Sequence, residues 1–364
     1  MIKNNRLSGI QGAVAMFALG LSHSVMADDV LQAGEHDFSG VLTTTYQDTN
    51  IDNVKADWLF SIDLESQWQF DGFGVYGLAE YSRSVKAGGV ADSFGFANAD
   101  AGTAIDNDGD GRGQISSLYV YGDTNKDGEH GWLFGLVQVT GLIDRSDYAN
   151  DEVSQFLSLN MLNNLTIAFP DYAIAGMVEN KDGFGDFGYR VMVSSSHGIQ
   201  DSTDENSAIQ SYSELLDVGS SDKGLFSGAE LLFERENYFA NIGVWTNSAD
   251  DAGADYGMFV GLDYHMDNGG LNIRFGQANA EDGEAERFVG IGYEQQLAGG
   301  TFAASYSLTR YNQDVDSVLH HGEFYYRFAA IDKVLYLTPA VQWFEGGGLI
   351  DDGVIWGVRA EVWF

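Results

Sequence analysis

Period-two alternation of apolar and polar residues is the feature of this sequence that most limits its fold. From residue 57 to residue 70, most alternate positions are apolar and the positions between them are polar or charged, and residues 186–195, 255–266 and 301–310 show the same pattern. Because successive side chains of a β-strand point to opposite faces, each stretch is predicted to be a strand with one apolar and one polar face. We count sixteen such strands, starting near residues 36, 57, 73, 113, 131, 171, 186, 224, 238, 255, 271, 286, 301, 320, 334 and 354.

The connectors between these strands alternate between short and long. Short ones, such as 71–72, 182–185, 267–270 and 298–300, are rich in Asp, Asn and Gly, which suit tight hairpin turns. Longer ones fall near 47–56, 85–112, 141–170, 197–223, 312–319 and 345–353. An even strand count with short turns at one end and long loops at the other is typical of an outer-membrane barrel, whose apolar face meets lipid.

A secreted β-sandwich or lectin-like protein is the rival interpretation, because the apolar faces of two sheets can also cover each other. Two features favour the barrel. Aromatic residues lie near the ends of the apolar faces, as at Trp58, Phe70 and Tyr264, and the polar faces carry many ionisable groups, as a water-filled lumen would. The predicted fold class is therefore all-β: a sixteen-stranded antiparallel transmembrane β-barrel with short periplasmic turns, long extracellular loops and an inward-folding loop that carries a short helix.

The N-terminal segment is predicted to be a signal peptide rather than part of the fold. It begins with Lys3 and Arg6, continues into the apolar run 10–21 and ends on 25-VMA-27. A run of this length is too short to span a bilayer, and small residues precede the expected cleavage after Ala27. Residues 28–364 are then expected to form a single barrel domain in the outer membrane of a Gram-negative bacterium.

Composition excludes several classes of function. The net charge of −36 disfavours nucleic acid and anionic membrane surfaces as partners, since both bind basic proteins. The chain has no cysteine, so it has neither disulfides nor thiol chemistry. No spacing of Ser, His and Asp indicates a hydrolytic triad, and the protein is predicted not to be an enzyme.

One long connector breaks the strand pattern. Residues 150-NDEVSQFLSLNML-162 have helical spacing, which would place Val153, Phe156, Leu157 and Met161 on one face. This stretch, followed by Phe169-Pro170, resembles the "ND-E-QFL-N" helix and "FP" dipeptide of the carbohydrate-selective porin family of Gram-negative outer membranes. The closing segments 335-LYLTPAVQWFEGGG-348 and 356-WGVRAEVWF-364 are similar to the family's "LTP-QW-NPGG" and "G-R" block.

This resemblance implies a passive channel through which mono- or oligosaccharides diffuse into the periplasm, with no required cofactor. A lumen of acids, arginines and aromatics can bind hydroxyl groups weakly and stack on sugar rings, which supports a channel independently. The acidic composition leaves a general cation-preferring porin as the alternative, and a secreted calcium-binding lectin-like protein as a remote one.

The candidate pore-lining residues are scarce arginines and nearby acids on predicted lumen faces or loop mouths. Arginines opposite acids at a constriction would set a transverse field that selects permeants, although each could simply neutralise a wall carboxylate. The chosen residues are Arg83, Arg112, Arg190, Arg359, Glu80 and Glu361. Trp343, like Trp245, is a candidate platform for a sugar or a member of the interfacial aromatic belt.

A candidate metal site lies in 106-DNDGDGRG-113, where Asp106, Asp108 and Asp110 stand at alternate positions before a glycine. This spacing is similar to the start of a calcium loop, but Asp, Asn and Gly are also ordinary turn residues. Residues 123-DTNKDGE-129 repeat the pattern, and neither run has the glutamate expected at the twelfth position. Calcium therefore stays one of two interpretations of these loops.

The last strand, 353-GVIWGVRAEVWF-364, suggests further partners. Its alternate apolar positions would face outer-membrane lipid, while Arg359 and Glu361 would face the lumen. A final Phe364 after this pattern is similar to the signal by which the barrel assembly machinery recognises its substrates. A homotrimer and a monomer both fit, because a lipid-facing and a subunit-facing strand look alike in sequence.

Overall fold

The computed structural model describes residues 32–83, 86–102, 111–123, 130–170, 172–180, 187–200, 209–213, 215, 223–313, 317–347 and 350–364. Sixteen strands form one closed barrel in which every strand pairs with its neighbours in the chain and β1 pairs with β16. All pairings are antiparallel, so the predicted sixteen-stranded antiparallel barrel is confirmed. Each strand begins within three residues of its predicted start.

The strands of the first half are β1 His36–Thr49, β2 Asp57–Phe70, β3 Phe73–Ser82, β4 Arg112–Asp123, β5 His130–Gln138, β6 Tyr172–Asn180, β7 Phe187–Ser195 and β8 Leu225–Arg235. Those of the second half are β9 Tyr238–Asn247, β10 Ala254–Met266, β11 Gly269–Ala280, β12 Ala285–Leu297, β13 Gly300–Tyr311, β14 Ser317–Ile331, β15 Leu335–Glu345 and β16 Gly353–Trp363.

The two faces of each strand meet different surroundings, as the alternation predicts. On β16, Trp356 and Val358 are 41% and 37% exposed on the outside of the barrel, while Arg359 and Glu361 are fully buried inside. On β2, the outward Trp58 is 59% exposed and the adjacent Asp57 is buried. The apolar outer surface and polar interior follow from the period of two in the sequence.

The barrel ends differ in the length of their connectors. At one end, here called the short-turn end, strands are joined by turns such as 71–72, 236–237, 267–268, 298–299 and 332–334. Ala298 and Gly299 both have positive φ, 51° and 83°, which is the backbone of a two-residue hairpin turn matched to strand twist. The opposite end, here called the loop end, holds the described parts of the long connections, which are residues 86–102, 139–170, 196–200 and 209–213.

Residues 139–170, here called the inward loop, fold into the barrel and supply much of its core. Leu142 and Ile143 are buried against Phe226, Trp245 and Phe259, which point inward from β8, β9 and β10. This half of the lumen is therefore filled by packed side chains rather than by water.

Helices are few and short in the described chain: Val90–Ser93, Ala99–Gly102 and Leu159–Leu162, with a 3-10 helix at Val139–Gly141. Over these same described ranges, none has the length and apolar character needed to cross a membrane. The helix predicted over residues 150–162 is wrong for most of its length, since only the last four residues are helical.

The wall residue Glu323 explains part of the missing helix, because it binds the amides of Leu157 and Ser158, which a helix over 150–162 would pair with its own carbonyls. The carboxylate of Asp151 accepts hydrogen bonds from the backbone N–H groups of Val153 and Ser154, and the side chain of Gln155 accepts those of Asn150 and Asp151. Glu323 on the barrel wall accepts those of Leu157 and Ser158. Apolar spacing in the sequence cannot reveal such competition from distant residues.

Candidate functional site

Two arginines of the barrel wall hold the inward loop by its backbone. Arg274 on β11 donates to the carbonyl oxygens of Leu162 and Ala149. Arg359 on β16 donates to those of Glu152 and Gln155 at 2.7 and 2.9 Å. Hydrogen bonds from a buried charged group are stronger than neutral ones, so the loop is fixed across the lumen.

A buried ion cluster fills the wall beneath the first part of the loop. Arg190 on β7 bonds to both Glu179 on β6 and Glu230 on β8, and all three side chains are almost fully buried. Arg145 of the inward loop adds a contact to Glu179 at 3.4 Å. These charged groups are paired with one another, so they are poorly placed to bind a solute.

A second cluster centres on Glu361 of β16. Its carboxylate accepts hydrogen bonds from Arg327 at 2.7 Å, from Arg359 at 3.2 Å and from the Thr338 hydroxyl at 3.2 Å. Glu361 and Arg359 are fully buried behind the inward loop. Their role in this arrangement is to anchor the loop and neutralise each other.

The loop between β3 and β4 also enters the barrel and pairs with the inward loop. The Ala99 N–H donates to the Leu157 carbonyl at 2.7 Å, and the Leu159 N–H donates to the Phe96 carbonyl at 2.9 Å. Gln342 of β15 donates to the carbonyl of Ala97 at 2.8 Å. The two loops together close the side of the lumen next to β14, β15 and β16.

A cavity of about 870 Å³, open to solvent, lies between the inward loop and strands β1 to β3. Carboxylates line it from both sides. Its acidic residues are Asp63 and Glu65 on β2, Glu80 on β3, and Asp151 and Glu152 on the inward loop. None of the described residues that line it is basic, so the lining of the cavity is acidic.

A smaller cavity of about 240 Å³ continues towards the loop end and shares Asp63 and Glu80 with the first. Asp100, Arg112 and Tyr172 are among its other lining residues. The Arg112 guanidinium lies 5.1 Å from the centre of the Tyr172 ring. The two cavities mark a candidate path for solutes along β2, β3 and β4.

Aromatic side chains also reach the larger cavity. Tyr76 on β3 lines it and is only 4% exposed. Trp363 lines the same cavity near the short-turn end, with its indole N–H donated to Glu361 at 3.3 Å. The cavity thus combines negative charge with apolar surface.

The surroundings of two acids on the inward loop raise their pKa values towards neutral pH. Burial, reinforced by the neighbouring Asp151, raises the pKa of Glu152 to about 8. Burial also raises the pKa of Asp144 to about 7, although Arg274 opposes this shift. A carboxyl group with such a pKa changes charge within the physiological range.

The residues proposed from the sequence fall into distinct places. Glu80 and Arg112 lie on the candidate path. Arg190, Arg359 and Glu361 face inward, but each already forms ion pairs, and Arg359 also bonds to the backbone of the inward loop. Arg83 is exposed just beyond β3 and lines neither cavity. Its backbone N–H donates to the Phe60 carbonyl.

Trp343 requires a correction, because it does not line the pore. It lies on the outward face of β15, beside the exposed Val341, and stacks on Tyr306 of β13 with ring centres 5.9 Å apart. The strand period places Gln342, not Trp343, inside the barrel. Trp245 does point inward, but it is buried against Phe226.

The candidate calcium residues Asp106, Asp108 and Asp110 lie outside the described residues, as does most of 123–129. Within the part of the chain that the structure describes, no group of three His, Cys, Asp or Glu residues has an arrangement that could hold a metal ion.

The residues that form the larger cavity were visible in the sequence but not chosen. Asp63 and Glu65 stand on the polar face of residues 57–70, and Asp151 and Glu152 belong to the acidic part of the inward loop. Their selection requires knowledge of which wall faces the loop across open space. That relationship is tertiary.

Comparisons with known structures agree with the fold. The chain is similar to a variant of the Rh. blastica porin at 12% identity and a TM-score of 0.51, over 91% of this chain and 100% of that one. It is similar to Salmonella typhi OmpF in complex with daunomycin at 11% identity and a TM-score of 0.57, over 91% and 98% of the two chains. An engineered protein described for asymmetric conductivity matches at 12% identity and a TM-score of 0.57, over 91% and 100%.

No protein-family model matches the chain, and no curated protein sequence does. At these identities the likeness to solved structures establishes the barrel architecture that the chain shares with porins, and the function has to be argued from the site.

Proposed function

We propose that the protein is a passive diffusion channel of the Gram-negative outer membrane that prefers cations to anions. The observation that carries this proposal is the cavity between the inward loop and β1 to β3, which is lined by five carboxylates and by no described basic residue. Solutes would cross along β2, β3 and β4, where the two cavities share Asp63 and Glu80.

The physical basis of selectivity is the excess of carboxylates along the path, where Arg112 is the only basic residue among the described residues that line either cavity. The inward-facing arginines Arg190, Arg274 and Arg359 are fully buried and already bonded to acids or to loop carbonyls. The carboxylates along the path therefore lower the energy of a permeating cation and raise that of an anion. Such a channel performs no covalent chemistry.

Reversal potentials in planar bilayers test this function. Under a KCl gradient, the purified full-length protein should conduct and give a potential of the sign set by K⁺. Glu65→Gln should reduce the preference, whereas Glu294→Gln, which removes a lumen-facing carboxylate of β12 outside both cavities, should leave it nearly unchanged. Absence of conductance, or anion preference, would contradict the proposal.

Carbohydrate uptake is the second candidate, favoured by the presence of Tyr76 and Trp363 among carboxylates in one cavity. Aromatic faces stack on sugar rings and carboxylates accept hydrogen bonds from hydroxyl groups. The placement of Trp343 on the outer face removes one stacking platform from this candidate. Liposome swelling decides it, since sugar-selective uptake should exceed that of an uncharged polyol of equal size.

The partners belong to the same proposal. The exposed apolar outer face would contact outer-membrane lipid, and the assembly machinery would recognise Phe364, which is 57% exposed. A homotrimer is proposed as the assembled state. Recovery of heat-modifiable protein in the outer-membrane fraction after cleavage at Ala27 would support the outer-membrane location, and recovery in the soluble medium would contradict it.

A further inference from the structure

We propose that the outer face of the barrel at β2 and β3 binds an anionic lipid of the outer leaflet through the phosphate groups of its headgroup. The site is built from three exposed basic residues at the loop end, Lys55, Arg83 and Lys86, here called the basic patch, and from exposed aromatic side chains next to them. The inference goes beyond the channel function and shares with it only the outer-membrane location, in which the loop end faces the exterior.

The basic patch is assembled where the chain enters β2 and leaves β3. The ammonium group of Lys55 donates to the carbonyl of Ala87 at 3.1 Å, and the ammonium group of Lys86 donates to the carbonyl of Ala56 at 2.9 Å. The two connections are therefore bonded to each other through these lysines. Arg83 precedes Lys86 by three residues, which is at most about 11 Å of chain, so the three cations form one surface.

The acids of this chain do not neutralise the basic patch, although 54 acidic residues outnumber 18 basic ones. No described carboxylate forms an ion pair with Lys55, Arg83 or Lys86. Asp57 lies nearby, but it is buried and its carboxylate accepts the backbone N–H of Lys86. Because an ammonium group has three donors and each lysine uses one on a carbonyl, the patch retains donors and positive charge for an external anion.

Arg287 and Arg310 show the alternative arrangement of exposed basic residues. They stand opposite each other on β12 and β13, and both lie near the carboxylate of Glu286, at 3.7 and 3.5 Å. Their charge is thus shared with an acid of the same surface. This pair is a matched control for the basic patch, because its guanidinium groups are also exposed.

Exposed aromatic side chains continue the surface from the basic patch towards the middle of the barrel. Arg83 extends β3, and its backbone N–H donates to the carbonyl of Phe60 on β2 at 2.9 Å. Phe60, Trp58 and Tyr81 are 36%, 59% and 40% exposed on the outer face. Cations at the rim with rings beneath them fit an amphiphile, whose charged headgroup binds the patch while its acyl chains cover the rings. A free anion would gain nothing from the rings, so we assign the site to a lipid.

The chemistry of the basic patch selects phosphate. Arginine and lysine form short, charge-assisted hydrogen bonds with phosphate oxygens, and clustered basic residues at a membrane surface attract anionic headgroups. The net charge of the whole chain opposes such binding, but charges farther away than about 10 Å are largely screened at 0.1 M salt. The local excess of cations therefore decides the interaction.

Native mass spectrometry of the full-length protein in a nonionic detergent tests the inference. Three probes are added in turn: diphosphoryl lipid A, phosphatidylcholine, which has acyl chains but no net charge, and inorganic phosphate. Lipid A should bind saturably, and phosphatidylcholine should bind at least about tenfold more weakly. Inorganic phosphate at equal concentration should not displace lipid A. Equal binding of the two lipids, or displacement by inorganic phosphate, would overturn the assignment.

The decisive variant combines Lys55→Gln, Arg83→Gln and Lys86→Gln, which removes three charges from the outer face. It should weaken lipid A binding at least about tenfold, because each cation near an anionic lipid contributes about fivefold. The control that combines Arg287→Gln and Arg310→Gln should bind lipid A as the unaltered protein does. Heat-modifiable mobility on gels shows that each variant has folded. If the triple variant fails this check, Arg83→Gln alone should weaken binding about fivefold.

The aromatic part of the site has its own variant. Trp58→Ala should weaken lipid A binding several-fold, while the decrease of binding with added KCl stays as steep as in the unaltered protein. Equal binding in Trp58→Ala would reject the contribution of the rings and with it the assignment to a lipid.

The outcomes separate this inference from the channel function. Lipid A binding that is unchanged in the triple variant, or weakened equally in the control, would reject the site. The basic patch lies outside both cavities, so the KCl reversal potential should persist where lipid binding is lost. Absence of conductance in a protein that still binds lipid A through the patch would defeat the channel function and retain the lipid site.

Discussion

Asp63 of β2 and Glu80 of β3 stand directly opposite each other in the antiparallel register, and both line the two cavities of the lumen. Like charges in opposed positions of a sheet repel each other. No described arginine of the larger cavity separates them, and Arg112 meets Glu80 only from the smaller one. The barrel therefore places two acidic side chains opposite each other on the candidate path.

Replacement of Asp63 by Asn should stabilise the barrel and weaken its cation preference. Relief of an opposed like-charge pair is worth about 0.2–1 kcal/mol in a sheet. Urea unfolding in detergent measures the first effect, and the KCl reversal potential measures the second. Glu294→Gln serves as the control, and a more anion-excluding Asp63→Asn channel would contradict the assignment of the path.

The cation preference should rise with pH between about pH 7 and pH 9. The pKa of Glu152 is raised to about 8 by burial and by Asp151, with Glu80 and Asp100 contributing, so the group is neutral below that pH and negative above it. Arg359 faces Glu152 only through the backbone carbonyl of that residue. Each ionised Glu152 adds negative charge to the cavity as pH rises.

Reversal potentials measured across this pH range test the titration. In Glu152→Gln the step centred near pH 8 should disappear, while the preference that remains at pH 7 should persist through the wall acids. A pH profile unchanged by the substitution would show that another group titrates.

Loss of Glu323 should loosen the inward loop. Its carboxylate accepts the backbone N–H groups of Leu157 and Ser158 at 2.8 and 2.9 Å. Glu323→Ala leaves these buried amides unpaired, at a cost of about 1–3 kcal/mol for each unsatisfied group. Single-channel recordings should show larger conductance and more open-channel noise, with Glu294→Ala as a control that does not alter them.

Arg190 should be among the most sensitive positions of the wall. Arg190→Met leaves Glu179 and Glu230 buried without their shared cation, and breaking such a pair costs about 3–5 kcal/mol. The variant should unfold at lower temperature on heated gels. Arg287→Met is the matched control, since Arg287 is half exposed, and equal effects of both substitutions would contradict a special role for the buried cluster.

The contact between Gly40 and Phe364 extends the pairing of β1 with β16 that closes the barrel. Their backbone groups exchange two hydrogen bonds, at 2.9 and 3.0 Å, and the Phe364 ring would lie 2.7 Å from a Cβ atom on residue 40. Gly40→Val should therefore displace the ring and reduce the yield of heat-modifiable barrel. Thr44→Val, on the same face of β1, is the control that should assemble normally.

The strands and their orientation could be predicted from residues alone. When polar and apolar residues alternate with period two, a strand can place its apolar side chains towards lipid and its polar side chains towards the lumen in only one register. A slip by one residue would exchange the two faces. This reasoning placed Arg359 and Glu361 inside, as the structure confirms. The same period, read on β15, would also have placed Trp343 outside.

The candidate site could be predicted only in part. Glu80 and Arg112 line a cavity, while Arg190 and Arg359 face the lumen but are bonded to partners from other strands and from the inward loop. The acids of residues 57–70 were recognisable as lumen-facing. Nothing in their spacing distinguishes an acid in open space from one under a loop.

The sequence by itself determined the sixteen strands and the outward apolar face, because both depend on local composition and on the period of side chains along one strand. The tertiary structure alone decided where the path runs. Long-range contacts such as Glu323 with the Leu157 amide, and Ala99 with Leu157, seal one side of the lumen and leave the wall at Asp63 and Glu65 open. Such contacts join residues far apart in the chain, and no local pattern encodes them.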